Sequence, residues 1–176
     1  MRWSRDGKKV AFVYVDVSNR PVDQIRIVDV SNCSPTIPIA SVGTFPGPDF
    51  KIDAYSNVTT LPSFDWDGAG LFVFNDFVRN DGFGNLYYFD ALSGKGGKLN
   101  PVKGSCCYRD ARLSPDGKYL LFLFQENGQN TIQMYYVEFE KLLTGEAGDP
   151  LPIPVGVFAD PRSAPQPALR PLPPPP

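Results

Sequence analysis

Residue types able to do covalent or metal chemistry are few in this chain. It has three cysteines, Cys33, Cys106 and Cys107, and no histidine. Without an imidazole, a Ser-His-Asp or Cys-His device has no general base, and no G-x-S-x-G elbow is present to expose a nucleophilic serine. The odd cysteine count, with no C-x-x-C spacing, reads as thiols at strand ends; a vicinal Cys106–Cys107 bridge or a bridge from Cys33 to one of them stays open. A tetrahedral zinc site needs about four N or S ligands, so neither metal nor cofactor is expected. The 19 acidic residues leave room for a glycosidase-type carboxylate pair, but no pair is set apart by its spacing. No catalytic residue is assigned.

Two stretches invite a ligand reading and have a plainer one. Asn75 to Asn85, NDFVRNDGFGN, carries Asp76, Asn80, Asp81 and Asn85, which are oxygen donors of the type calcium takes. They lack the order of a calcium loop, and Asn, Asp and Gly are what a tight connection between two strands requires. Ser93 to Lys98, SGKGGK, follows a strand but opens no helix and lacks G-x-x-x-x-G-K-[ST], so it reads as a surface hairpin rather than a phosphate cradle.

The elements that must position these residues announce themselves by repetition. In RLSPDGKYLLFLF, Arg112 to Phe124, the turn residues Ser114, Pro115, Asp116 and Gly117 precede an apolar run that is too short for a helix and apolar on both faces. That is a tight turn, with φ > 0 expected at Gly117, followed by a central strand. RWSRDGKKVAFVYVDV from Arg2 and SFDWDGAGLFVFNDF from Ser63 repeat the arrangement, with Asp6-Gly7 and Asp67-Gly68 in the turns. A second strand follows each time, and the turn Asp stands 19, 19 and 16 residues before its first apolar residue, Ile25, Leu86 and Ile132. The copies lie 61 and 49 residues apart, slightly longer than the roughly 40 to 50 residues of a four-stranded propeller blade. Asp29 and Asp90 follow the apolar core of their strands and are expected to cap the next turn, with Tyr136 in that place in the third copy.

LSPDGKYLLF followed by TIQMYYV, with WSRDGKKVAF and QIRIVDV, and FDWDGAGLFVF and NLYYFDA, resembles the TolB-like propeller repeat, a relative of WD-repeat blades. The resemblance runs from Arg2 to about Val157, and Trp66 stands where that family usually has Pro. It implies an all-β fold: a partial β-propeller of about three four-stranded antiparallel blades. In this family such a propeller serves as a protein-interaction platform or as the non-catalytic gate of a larger enzyme. The expected strands are Arg2–Ser4, Val10–Val17, Gln24–Val30 and Ile37–Val42; then Asn57–Phe64, Leu71–Phe77, Asn85–Leu92 and Lys98–Val102; then Tyr108–Leu113, Tyr119–Gln125, Thr131–Phe139 and Leu151–Val157. The blades would occupy 2–43, 57–103 and 105–158, within a propeller region 1–158. Because such propellers close rings of about 4 to 8 blades, the chain is expected to be the C-terminal part of a longer propeller, with self-association through open blade edges as the other way to cover them.

Composition narrows the partners. A formal charge of −2 provides no basic footprint for nucleic acid, and no run of about 18 apolar residues is present to span a membrane. TolB-like relatives are frequent in the bacterial envelope, which makes periplasm or envelope the compartment implied by the resemblance. A protein partner is expected at the strand-connecting loops, with Tyr55, Phe83, Tyr108 and Arg109 as its contacts. From Pro150 onward the chain holds 11 of its 19 prolines, so 159–176 is expected to be a disordered or polyproline tail. Its end, RPLPPPP, resembles a basic-x-Leu-Pro-x-x-Pro ligand, with Arg170 for an acidic pocket and Leu172, Pro173 and Pro176 for aromatic grooves. The function expected is thus a non-catalytic interaction scaffold; the alternative is the gating propeller of a prolyl-oligopeptidase-type serine peptidase whose hydrolase domain is absent.

Overall fold

The computed structural model describes residues 1–16, 22–31, 40–45, 63–75, 82–102, 107–125 and 131–154. Three four-stranded sheets follow one another along the chain. The first holds β1 (Arg2–Trp3), β2 (Lys9–Asp16), β3 (Val22–Asp29) and β4 (Ala40–Phe45); the second β5 (Ser63–Trp66), β6 (Leu71–Asn75), β7 (Leu86–Asp90) and β8 (Lys95–Leu99). The third holds β9 (Tyr108–Leu113), β10 (Tyr119–Phe124), β11 (Gln133–Glu138) and β12 (Leu151–Pro152), with a short helix α1 (Phe139–Thr144) between the last two strands. In each sheet every strand pairs antiparallel with the next in sequence. Three such up-and-down meanders are three blades of a β-propeller.

The turn between the first two strands of each blade is built by side chains. In blade one the Ser4 hydroxyl donates to Asp6 Oδ1 (2.6 Å) and accepts the Lys9 N–H (2.8 Å), while Asp6 Oδ1 accepts the Lys8 N–H (3.0 Å). Blade three repeats this: Ser114 to Asp116 at 2.6 Å, Tyr119 N–H to Ser114 at 2.8 Å, and Lys118 N–H to Asp116 at 3.1 Å. Gly7 and Gly117 close the two turns at φ 69° and 74°, a conformation that costs a side chain about 1–2 kcal/mol. These bonds to the serine hydroxyls, chiefly, hold the Asp6 and Asp116 carboxyls below the ordinary carboxylate range.

Blade two reaches the same geometry differently. Asp67 N–H donates to Leu71 O, as Ser4 N–H does to Lys9 O and Ser114 N–H to Tyr119 O. Asp67 is therefore the counterpart of the two serines and not of Asp6 and Asp116. Its Oδ1 accepts from the N–H groups of Ala69, Gly70 and Leu71 at 2.8, 3.0 and 3.0 Å, so one carboxylate does the work of a serine and an aspartate in a turn one residue shorter. By the same register Trp66, paired with Phe72, matches Trp3 and Leu113, paired with Val10 and Leu120. Trp66 is a strand residue and does not stand in the proline position.

Apolar faces of adjacent blades meet to form the core. Ala11 and Ile25 of blade one pack against Phe64, Trp66, Phe72, Phe74 and Tyr87 of blade two. Val73, Leu86 and Leu99 of blade two pack against blade three through Tyr108, Leu113, Leu120 and Phe122. Trp66 stacks on Phe72 (5.8 Å, 4°) and Phe74 on Tyr87 (5.7 Å, 17°), both within reach of favourable aromatic contact.

Several expected strand bounds move. The described outer strand of blade one is Ala40–Phe45, reaching three residues past Val42 to pair Phe45 with Ile25; Ile37 lies outside the described residues. The glycine-rich SGKGGK lies in a surface hairpin as expected, that of β7 and β8, but contributes more strand than turn. Ser93 and Gly94 make the turn, and Lys95–Leu99 is the outer strand, beginning three residues before the expected Lys98. Gly97 is tolerated there because the Tyr88 ring covers it: a Cβ on Gly97 would stand 3.3 Å from Tyr88 Cε1. Phe139 opens α1 instead of ending a strand, with Phe139 and Leu142 turned to the core and Gly145 (φ 77°) closing the helix. Residues 57–62, 76–81 and 155–176, including the whole proline-rich tail, lie outside the described residues.

Asp29 and Asp90 cap their turns as expected. Asp29 accepts from the Ser31 hydroxyl and N–H, and Asp90 from the Ser93 hydroxyl and Leu92 N–H. These bonds lower both carboxyls, the hydroxyl contribution being the larger. Register corrects the third position: Asp29 pairs with Lys9, Asp90 with Leu71 and Glu138 with Tyr119. Glu138, and not Tyr136, is the counterpart, and it precedes α1 where the other blades make a turn.

Candidate functional site

The first strands of the three blades bring their charged residues together. Arg2, Asp65 and Arg112 are equivalent by register, each one residue before the apolar residue that precedes the turn. Asp65 Oδ1 pairs with Arg2 Nε at 3.1 Å, and its Oδ2 accepts the Leu113 N–H at 2.8 Å. One buried carboxylate thus touches three blades. Arg2 Nε and Arg112 Nη1 both donate to the carbonyl of Phe64 at 3.3 Å, and Arg112 Nη1 also donates to Ala111 O at 2.7 Å.

A bulge extends this cluster along β9. Leu121 and Leu123 pair with Arg112 and Arg109, so Asp110 and Ala111 together face the one residue between them, and Asp110 takes φ 54°. Bulges re-aim side chains; here Asp110 receives Arg109 Nε at 2.9 Å and lies 4.0 Å from Arg112 Nη2. Burial is the main electrostatic influence on two members. It pushes the Asp65 carboxyl up, against the pull of the Leu113 N–H and the two arginines. It pushes the Arg112 guanidinium down, aided by the charge of Arg2.

Three of the expected partner contacts meet at one end of β9. Gly84 bridges to Tyr108, exchanging N–H to carbonyl bonds of 3.0 and 2.8 Å, which brings Phe83 beside Arg109; the Arg109 guanidinium lies 4.8 Å from the Phe83 ring centroid. Phe83 and Tyr108 are completely buried, so they pack the interior and offer no side chain to a partner. The Tyr108 hydroxyl donates to Val102 O and accepts from Val102 N–H, both at 3.0 Å, and burial lifts it to about 12. Arg109 is half-buried, its side chain 14% exposed and held against Asp110 and the Phe83 ring. Tyr55, Arg170, Leu172, Pro173 and Pro176 lie outside the described residues.

Asn75, the first residue of the stretch that invited calcium, is buried and spends its amide internally: Oδ1 accepts from Ser63 (2.5 Å) and Nδ2 donates to Gly82 O (2.9 Å). Cys107, just before β9, is buried and disulfide-bonded, which corrects the free-thiol reading; Cys33 and Cys106 lie outside the described residues. The cluster of Arg2, Asp65, Asp110 and Arg112 was missed by sequence reasoning, although its signal is present: R-W-S, D-W-D and R-L-S put a charge at the same point of every repeat.

Fold and first-strand cluster together define a partial β-propeller. Among solved structures the chain is similar to TolB from Acinetobacter baumannii, at 17% identity and a TM-score of 0.51, over 85% of this chain and 31% of that one. It also aligns with the β-propeller domain of the Trilobed protease from Pyrococcus furiosus, at 12% identity and a TM-score of 0.48, over 85% of this chain and 41% of that one. A structure from a study of two prolyl endopeptidases aligns at 13% identity and a TM-score of 0.45, over 89% of this chain and 21% of that one. The chain therefore spans well under half the length of these solved chains. No protein-family model and no curated protein matches it.

Proposed function

We propose that this chain is a propeller module that presents its blade-connecting loops to a protein partner and carries out no reaction of its own. One observation supports this reading above the others: the buried carboxylates that could have done chemistry are spent inside the fold, Asp65 on joining blades and Asp110 on pinning neighbouring residues of β9. Asp65 is divided between Arg2 and the Leu113 N–H, and Asp110 is held by Arg109. A wall locked in this way suits a rigid platform, on which loops carry recognition. Of the expected contacts that are described, Arg109 alone keeps partial exposure, over the Phe83 ring and beside Asp110, and it is the contact we assign to the partner, since arginine is enriched among residues that dominate binding.

A photo-crosslinking side chain at position 109, compared with one at the exposed Leu92 in the outer turn of blade two, tests this. The reading predicts a discrete adduct from position 109 and none from position 92. Equal labelling from both positions, or turnover of peptide or ester substrates by the purified chain, would refute it. The gating reading keeps the same module but assigns hydrolysis to another domain, since this chain has neither histidine nor a nucleophile elbow.

A further inference from the structure

The carboxylates of the first-strand cluster are spent, but its guanidinium groups are not. A guanidinium carries N–H donors on all three of its nitrogens. Arg112 places its Nη1 pair on the carbonyls of Phe64 and Ala111, at 3.3 and 2.7 Å, while its Nη2 stands 4.0 Å from Asp110, too far for a hydrogen bond. The Nε and Nη2 protons therefore meet no acceptor among the described residues, although the Arg112 side chain is only 10% exposed. Arg2 uses Nε alone, towards Asp65 and the Phe64 carbonyl, and its two Nη groups likewise have no acceptor among the described residues.

Charge does not balance either. Arg2, Arg109 and Arg112 face Asp65 and Asp110, which leaves one positive charge over. Close to this excess the Met1 ammonium is held below its ordinary range, by burial first and then by the charges of Arg2 and Arg112. The blades fix where the excess lies. First strands touch across blades, Arg2 to Phe64 and Asp65 to Leu113, so they are the inner strands, and inner strands of a propeller border its central channel. Arg2 and Arg112 lean on blade two from either side, because both donate to the Phe64 carbonyl. Their leftover donors thus lie over a blade that already has both neighbours, and not on the outer face of blade one or blade three.

We infer that Arg2 and Arg112 form an oxyanion site on the channel side of blade two, and that its occupant is a carboxylate. Guanidinium forks match the two oxygens of a carboxylate. One carboxylate cancels the single leftover charge, whereas a phosphate dianion would bring a second. The shared Phe64 carbonyl holds both arginines in place before the ligand arrives, so little ordering remains to oppose binding. The carboxylate belongs either to a free small molecule or to an acidic side chain that a partner inserts. The site stands on the first strands alone and goes beyond the loop-docking reading, so loss of the position 109 adduct leaves it untouched.

The test titrates the full chain with sodium acetate at constant ionic strength, acetate replacing chloride, and follows the side-chain Nε–H resonances of Arg2 and Arg112 by NMR. Both should shift and saturate, while the backbone amides of Gly117 and Gly145 stay fixed. Arg2→Gln should weaken acetate binding about ten-fold, and Arg2→Lys, which keeps the charge but loses the fork, should weaken it several-fold; the lysine variant decides the matter where the glutamine variant does not fold. Acetyl-Gly-Glu-Gly-amide binding about ten-fold more tightly than acetate would assign the site to a partner's acidic side chain, and equal or weaker binding of that peptide to a free carboxylate. Inorganic phosphate binding more tightly than acetate would overturn the choice of carboxylate. Shifts that grow with acetate without saturating, or an affinity unchanged in the folded variant, would overturn the site itself.

Discussion

Trp3 and Trp66 hold the same place in their blades, each paired with the first or second residue of the neighbouring strand and each just before the turn. Trp66 is 6% exposed and Trp3 59%. The difference lies outside the blade: Trp66 stacks on Phe72 under the cover of blade one, whereas no described blade covers Trp3. Burial in this fold is supplied by the neighbouring blade, so stability belongs to the interfaces more than to the sheets, as in other repeat proteins.

The largest expected effect follows directly. Phe72→Ala should cost about 4 kcal/mol in urea denaturation, since it empties a fully buried aromatic site, while Trp3→Ala should stay within about 0.5 kcal/mol. Comparable losses would show that blade one's outer face is covered.

Asp65→Ala comes next, at about 3 kcal/mol, because Leu113 loses its acceptor and two arginines lose a carboxylate. Its pH signature is separate. Burial raises the folded-state Asp65 carboxyl above its unfolded value, so the folded protein binds the extra proton and stability declines as pH rises from the ordinary carboxylate value through the raised one. Asp65→Asn should flatten melting temperature across that window. Asp6 and Asp116 act in the opposite sense and lower down: their folded-state values are depressed by the serine hydroxyls, so their contribution is lost as pH falls below the ordinary carboxylate range. Ser4→Ala or Ser114→Ala should weaken that acid loss.

Two glycines sharpen the comparison between turn and interface. A Cβ on Gly117 would meet nothing within 4 Å, but one on Gly68 would lie 2.8 Å from the Arg5 nitrogen and 3.2 Å from Ser4 Cα. Gly117→Ala should therefore cost about 1 kcal/mol, from its positive φ alone, and Gly68→Ala at least twice as much, because the turn of blade one must move.

What could be read in the sequence was whatever one strand or turn encodes locally. The turn S-x-D-G, the apolar run Tyr119–Phe124 and the capping aspartates Asp29 and Asp90 are short-range chemistry, and the fold class followed from their repetition. Alignment by the Asp-Gly pair alone misplaced Asp67, because a one-residue deletion is invisible until hydrogen-bond register is seen. The SGKGGK strand was hidden because glycine carries no strand signal, and the tyrosine that makes it tolerable comes from β7. The charge cluster was less legible still. Arg2, Asp65 and Arg112 lie 63 and 47 residues apart, and only blade packing joins them. Phe83 and Tyr108 looked like loop contacts because nothing local shows that the Gly84–Tyr108 bridge buries them.

The central claim, that burial here is conferred by the neighbouring blade, is tested most directly by tryptophan fluorescence on single-tryptophan chains, Trp3→Phe and Trp66→Phe, with acrylamide as quencher. The account predicts red-shifted, readily quenched emission from Trp3 and blue-shifted, protected emission from Trp66. Equal protection of the two would contradict it.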